Sequence, residues 1–150
     1  MAELGAIVAL EPDVDEIFMG NVYPAKDLLG IAKALLRGEL AYRQANAGEA
    51  VEHFAEAVAL QDALPYTEPP FWYYPTRQSL GAALLADGRA AEAQLVFEAD
   101  LEQYPMNGWS LYGLTEALST QGHTALAEAA RLRFEAVWQF SDVTLSTSVL

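Results

Sequence analysis

Apolar side chains recur along this chain at the three- and four-residue steps of amphipathic helices, and the pattern itself returns at a longer interval. Leu80, Leu84, Gly88 and Ala93 reappear as Leu114, Leu118, Gly122 and Ala127, each pair 34 residues apart. Leucines four apart line one face of a helix. The glycine stops that helix in a left-handed backbone conformation that other residues reach only at a cost. The alanine in the next helix lets two helix axes approach closely. Each unit is therefore a helix–turn–helix, and such a repeat hides its apolar side by stacking on its neighbours.

An upstream copy carries Gly38, Glu49-Ala50 and Phe54 at the internal spacings of Gly81, Glu92-Ala93 and Phe97. It departs at the turn, where Ala45 replaces the glycine. The last copy has Arg131 where Phe97 leads one to expect an aromatic, a polar exchange that suits the outer face of a terminal unit. Gly38 and Gly81 lie 43 residues apart, nine more than one period. The excess falls in 62–74, where Pro65, Pro69, Pro70 and neighbouring Pro75 exclude regular structure. The pattern predicts helices near 24–44, 48–62, 75–87, 89–103, 108–121 and 123–139. The expected organisation is an N-terminal segment 1–22, an array 23–140 and a tail 141–150. Within the array the repeats fall near 31–61, 74–107 and 108–140, with the insertion at 62–74. The stretch 6–12 reads as the end of a preceding repeat with its closing proline. The fold class is all-α, an α-α superhelix of about three helix–turn–helix repeats.

Composition narrows the function. Hydrophobic residues make up 53% of the chain and charged residues 19%, the balance of a globular protein. No apolar run approaches the ~18 residues that span a bilayer, and the N-terminus lacks a basic signal-peptide start, so a cytoplasmic protein is expected. The net charge is −13, and between Gln44 and Tyr104 the only lysine or arginine side chains are Arg77 and Arg89. Such a surface repels phosphate backbones and argues against nucleic acid. The excess acid serves solubility, and in a binding protein it favours partners with basic segments. There is no cysteine, which excludes disulfides and thiolate chemistry.

Leu80-Gly81, Leu84, Gly88, Glu92-Ala93, Phe97 and Pro105 resemble the signature of the tetratricopeptide-repeat (TPR) superfamily, and the likeness extends over about 33–140. More narrowly, the run Asp62-Ala-Leu-Pro-Tyr-Thr-Glu-Pro-Pro-Phe-Trp-Tyr-Tyr-Pro-Thr-Arg-Gln-Ser-Leu-Gly, followed by Asn107-Gly-Trp-Ser-Leu, is similar to the C-terminal region of a group of large bacterial TPR proteins. That resemblance implies a soluble helical scaffold and carries over no catalytic residue. TPR domains that grip acidic C-terminal peptides use a clamp of lysines, arginines and asparagines. The corresponding faces here carry Glu39, Tyr42, Arg43, Gln78, Trp109, Tyr112 and Glu116, so the cationic clamp is missing.

Those seven residues are the candidate partner-binding set on the concave face of the array, because rigid aromatics with a few polar groups suit a peptide groove. Packing against Tyr104 and Pro105 is the competing role for Trp109 and Tyr112. The insertion supplies a second set, Tyr66, Phe71, Trp72 and Tyr73, either as an arm that docks on a partner or as a plug for the gap between repeats. His53, with Glu49 and Glu56 at helical spacing, is the one arrangement that suggests a metal, and a solvated acidic face is the preferred explanation of it, because three ligands on one exposed helix lack the second element and pocket a catalytic site needs. No nucleophile elbow or phosphate-binding glycine loop is present. The expected function is a non-catalytic scaffold for a protein or peptide, with no cofactor, no metal, no nucleic acid and no membrane. The alternative is a structural segment forming homo-oligomers through the array ends, 1–12 and 142–150, with Val143, Leu145, Thr147 and Val149 laid against a neighbour. A remote third reading is a metal-dependent enzyme built on His53.

Overall fold

The computed structural model describes residues 2–14, 18–19 and 23–148, with side chains at 2–9 and 25–148. Among these residues the architecture is helical. The elements are α1 (Ala2–Val14), β1 (Phe18–Met19), β2 (Tyr23–Pro24), α2 (Ala25–Arg43), α3 (Ala47–Asp62), α4 (Thr76–Ala86), α5 (Ala90–Gln103), α6 (Gly108–Thr120) and α7 (Thr124–Trp138). The strands form a short antiparallel ladder, Phe18 opposite Pro24 and Met19 opposite Tyr23. No helix among the described residues is long and apolar enough to cross a membrane. The chain divides into two compact units, Met1–Thr76 and Arg77–Leu150.

In the first unit α2 packs along α3, and α1 lies against α2. The α2–α3 contact is set by absent side chains. A Cβ on Gly38 would come within 2.5 Å of the Phe54 ring, and one on Gly30 within 3.3 Å of Leu60. Later residues of α2 thus meet earlier residues of α3, so the pair is antiparallel, with Ile31, Ala34, Ala50 and Ala57 buried between them. Proline does not close the N-terminal helix as expected: α1 runs two residues past Pro12, to Val14. Pro24 lies in β2, and α2 begins one residue later. Val149 of the expected tail stripe lies outside the described residues.

In the second unit the same device appears between α4, α5 and α6. The buried Phe97 ring would meet a Cβ on Gly81 at 2.3 Å and one on Gly113 at 2.2 Å. Gly81 precedes Phe97 by the same interval that separates Gly38 from Phe54. Ser110 bonds Asp100 while Gln121 reaches Ala90, so α6 runs antiparallel to α5. Trp138 covers Gly108 and Phe134 meets Tyr112, so α7 runs antiparallel to α6.

Three helix pairs turn in one way. Gly88 and Gly122 have φ +76°, and Ala45 has φ +59°. The next residue's N–H reaches back five positions in each case: Asn46 to Ala41, Arg89 to Leu84 and His123 to Leu118, all at 2.9 Å. This closes the orphan carbonyls at the helix end. The departure noted at Ala45 is chemical and not conformational.

The insertion carries no helix or strand between Asp62 and Thr76, as its prolines require. Its far end is fixed by Gln61, whose Oε1 accepts from the Thr76 N–H at 2.9 Å and hydroxyl at 2.6 Å. The Gln61 Nε2 donates to the Tyr74 carbonyl at 3.1 Å. The C-terminal tail folds onto its own unit. Trp138 Nε1 donates to the Val143 carbonyl at 2.7 Å, and the Ser148 hydroxyl reaches the Gln78 carbonyl at 3.4 Å.

No atom approaches the position of a Cβ at Gly88 or Gly122, so backbone strain alone governs substitution there. Gly88→Ala and Gly122→Ala should each cost about 1 kcal/mol, and Ala45→Gly should gain about as much, in urea unfolding. A destabilised Ala45→Gly chain would contradict the shared turn. Gly81→Ala is a different test, because its Cβ collides with a buried ring. It should cost about 1–3 kcal/mol, and Phe97→Leu in the same chain should recover part of the loss.

Candidate functional site

The residues expected on the concave face divide between the two units. In the first, Glu39 and Arg43 form an exposed-edge pair at 3.5 Å, and Tyr42 beside them is half-buried. An i, i+4 pair of this kind contributes only a few tenths of a kcal/mol, roughly 0.3–0.5, so both charges remain available to a ligand.

In the second unit Trp109 and Tyr112 come together through two rings of α7. Tyr112 meets Phe134 edge-on at 5.6 Å, Phe134 stacks on Trp138 at 5.6 Å, and Trp138 meets Trp109 edge-on at 5.4 Å. The result is a continuous row of four rings, each half-buried, spanning α6 and α7. Edge-to-face and offset contacts of this kind add roughly 0.5–1.5 kcal/mol per pair beyond area burial. They also hold the rings in place before any ligand arrives. Burial raises the Tyr112 hydroxyl above its ordinary range, and the exposed carboxylate of Glu116 adds to the effect. Tyr112 is therefore a neutral donor at physiological pH.

Gln78 does not belong to an open face. It is 4% exposed, and its side-chain oxygen accepts from Asn107 Nδ2 at 3.2 Å. Asn107 is the hub of a polar cluster that the repeat pattern did not reveal. Its Nδ2 also reaches Asp100 at 2.8 Å and Ser110 Oγ at 3.3 Å, and its Oδ1 caps α6 by accepting from the Trp109 N–H at 3.1 Å. Ser110 donates to the same Asp100 oxygen at 2.6 Å. One asparagine thus ties α4, α5 and α6 together and sets the position of Trp109 at the head of the ring row. Asp100, 1% exposed, has its carboxyl pushed up by burial, opposed by Ser110, Asn107 and the Arg77 charge.

The insertion sorts its aromatics by exposure. Tyr66 is 83% exposed and Tyr73 85%, whereas Phe71 and Trp72 are half-buried. Phe71 and Trp72 therefore fold inward, and Tyr66 and Tyr73 are left as the outward pair. The Tyr66 hydroxyl donates to Glu68, which raises its pKa. Trp72 Nε1 is buried and has no hydrogen-bond partner among the described residues.

His53 stands 3.7 Å from Glu49 and 3.9 Å from Glu56 along one helix face. No group of three histidine or acidic side chains among the described residues is arranged to hold a metal ion. His123 is exposed at the start of α7 and makes no side-chain cap.

Asp100 supplies a pH test. Its folded pKa lies above the unfolded value of about 4, so the fold resists its ionisation. The cost is absent below the unfolded pKa, grows as pH rises towards the folded pKa, and is complete above it. Asp100→Asn keeps an oxygen for Ser110 and Asn107 and removes the charge. The stability of the variant relative to the parent should therefore fall as the pH drops from 7 towards about 4. A difference independent of pH in urea melts would show that Asp100 ionises freely.

No family model matches this chain, and neither a curated protein nor a solved structure does, so the functional reading rests on these side chains.

Proposed function

We propose that this chain is a non-catalytic interaction scaffold, a tetratricopeptide-like array that binds a protein segment on the ring row of α6 and α7. The observation that carries this reading is the row itself. Tyr112, Phe134, Trp138 and Trp109 brace one another in defined edge and stacked contacts while each keeps part of its surface in water. Rigid, half-exposed aromatics lose little rotamer freedom on binding and dominate the energetics of protein interfaces. Glu116 beside the row, and the neutral hydroxyl of Tyr112, add polar groups that orient a ligand. The repeat geometry supports a scaffold as well, because the same left-handed turn and the same glycine–phenylalanine contact recur in successive helix pairs.

The acidic surface acts at longer range. A net charge of −13 steers basic partners towards the chain and keeps nucleic acids away. Tyr66 and Tyr73 of the insertion give the first unit an aromatic pair suited to a secondary contact.

The test is Tyr112→Ala, with prey bound to the immobilised chain read by mass spectrometry. Truncating one interface anchor costs about 2 kcal/mol, roughly a thirtyfold loss of affinity. Specific prey should fall to background while the far-ultraviolet circular dichroism stays at the parent's level. Undiminished prey on the variant would remove the ring row as the binding face.

A further inference from the structure

The second unit already holds a segment without helix or strand against Trp138 of the row, namely its own tail. The tail is anchored at two points. The indole N–H of Trp138 donates to the main-chain carbonyl of Val143 at 2.7 Å. Five residues on, Ser148 is 2% exposed and its hydroxyl reaches the Gln78 carbonyl at 3.4 Å. Trp138 covers Gly108, and Gln78 is bonded to Asn107, so both anchors flank the N-terminal end of α6. The tail therefore crosses the rim formed by the first turns of α4 and α6.

The contacts define what the rim accepts. Trp138 reads a main-chain carbonyl, which any extended segment offers. The buried position of Ser148 admits only a small side chain, and a charge there would be stripped of water. Leu145 and Thr147 are half-buried, whereas Asp142, Thr144 and Ser146 are exposed and impose no selection. The geometry points to the α4–α6 rim as a binding site for a non-helical segment that places a small uncharged hydroxyl residue five positions after the carbonyl bound by Trp138. The tail fills this site in the free chain, and a partner segment of the same chemistry must displace it. This rests on the reading of the ring row as an interaction face and specifies the chemistry of its ligand.

The experiment uses the full isotope-labelled chain and, as probe, a synthetic peptide with the sequence of residues 141–150. In the parent chain the Trp138 indole proton should exchange with solvent at least tenfold more slowly than in the denatured chain, and exchange at the denatured rate overturns the seated tail. Ser148→Glu should release the tail. In that chain the peptide should shift the Trp138 indole and Asn107 amide resonances with an apparent affinity at least tenfold tighter than in the parent, because a tethered competitor at roughly millimolar effective concentration is gone. A peptide carrying the same Ser148→Glu change should be inert. A Thr147→Pro chain breaks the tail's approach without adding charge and is read in the same way if the glutamate chain does not fold. Equal response of parent and released chains, or no response in either, overturns the proposal. Because the probe is the chain's own sequence, this failure is distinct from retained prey on Tyr112→Ala, which would remove the binding face itself.

Discussion

A phenylalanine ring can press this closely on the backbone of a neighbouring helix only where that helix carries no side chain, and this requirement organises both units. Phe97 is enclosed by Gly81 on one side and Gly113 on the other, and Phe54 rests on Gly38. Each ring buries an area worth roughly 1.5–3 kcal/mol. The larger consequence is geometric. Helix axes that meet through glycine approach more closely than axes separated by leucine, and the register is locked because the ring fits at one place only. Phe97 thereby fixes α4 and α6 against α5 in a single step. The hub at Asn107 can then form, since its bonds to Gln78, Asp100 and Ser110 need three helices held within hydrogen-bond reach.

The turns follow the same logic with a different energy. Gly88 and Gly122 adopt the left-handed conformation freely, and Ala45 adopts it at the cost of a Cβ against its own backbone. That the chain keeps Ala45 in this state shows that the packing of α2 on α3 outweighs a local penalty of about 1–2 kcal/mol. The lock of Phe54 into Gly38 supplies that packing. Local preference yields to tertiary contact at the one turn where the two disagree.

Features that depend on short-range periodicity were legible in the sequence. Helices α2 to α7 begin and end within one or two residues of the positions expected, because each is bounded by a proline, a turn or a glycine. The equal spacing of Gly38–Phe54 and Gly81–Phe97 was visible before its cause. What stayed hidden depends on contacts between distant segments. Asp100 occupies a core position after Phe97, yet an acid there reads as surface until Ser110 and Asn107 are seen to bond it. Gln78 reads as groove-facing by its place on a first helix, but Asn107 and the tail cover it, and Ser148 lies 70 residues away in sequence. Phe134 and Trp138, four apart on α7, carry a stripe that periodicity shows. That the stripe continues through Tyr112 and Trp109 becomes visible only once α6 is placed beside it.

The ring row and the hub are parts of one arrangement, and this explains why the aromatic surface of the second unit falls where it does. Asn107 caps α6 and holds its first turn against α4 and α5, so the adjacent Trp109 starts from a fixed backbone. Trp138 crosses Gly108, the next residue, at a distance no other side chain would permit. An indole so placed has one edge against a rigid helix end and directs its N–H to an acceptor outside the helix, the Val143 carbonyl. A lone tryptophan on a mobile surface would lose about 0.5–1.5 kcal/mol to being ordered on meeting a ligand. Here that ordering has already been supplied by folding, through the glycine beneath the ring and the polar hub beside it. The same packing that stabilises the second unit therefore also preorganises its aromatic surface.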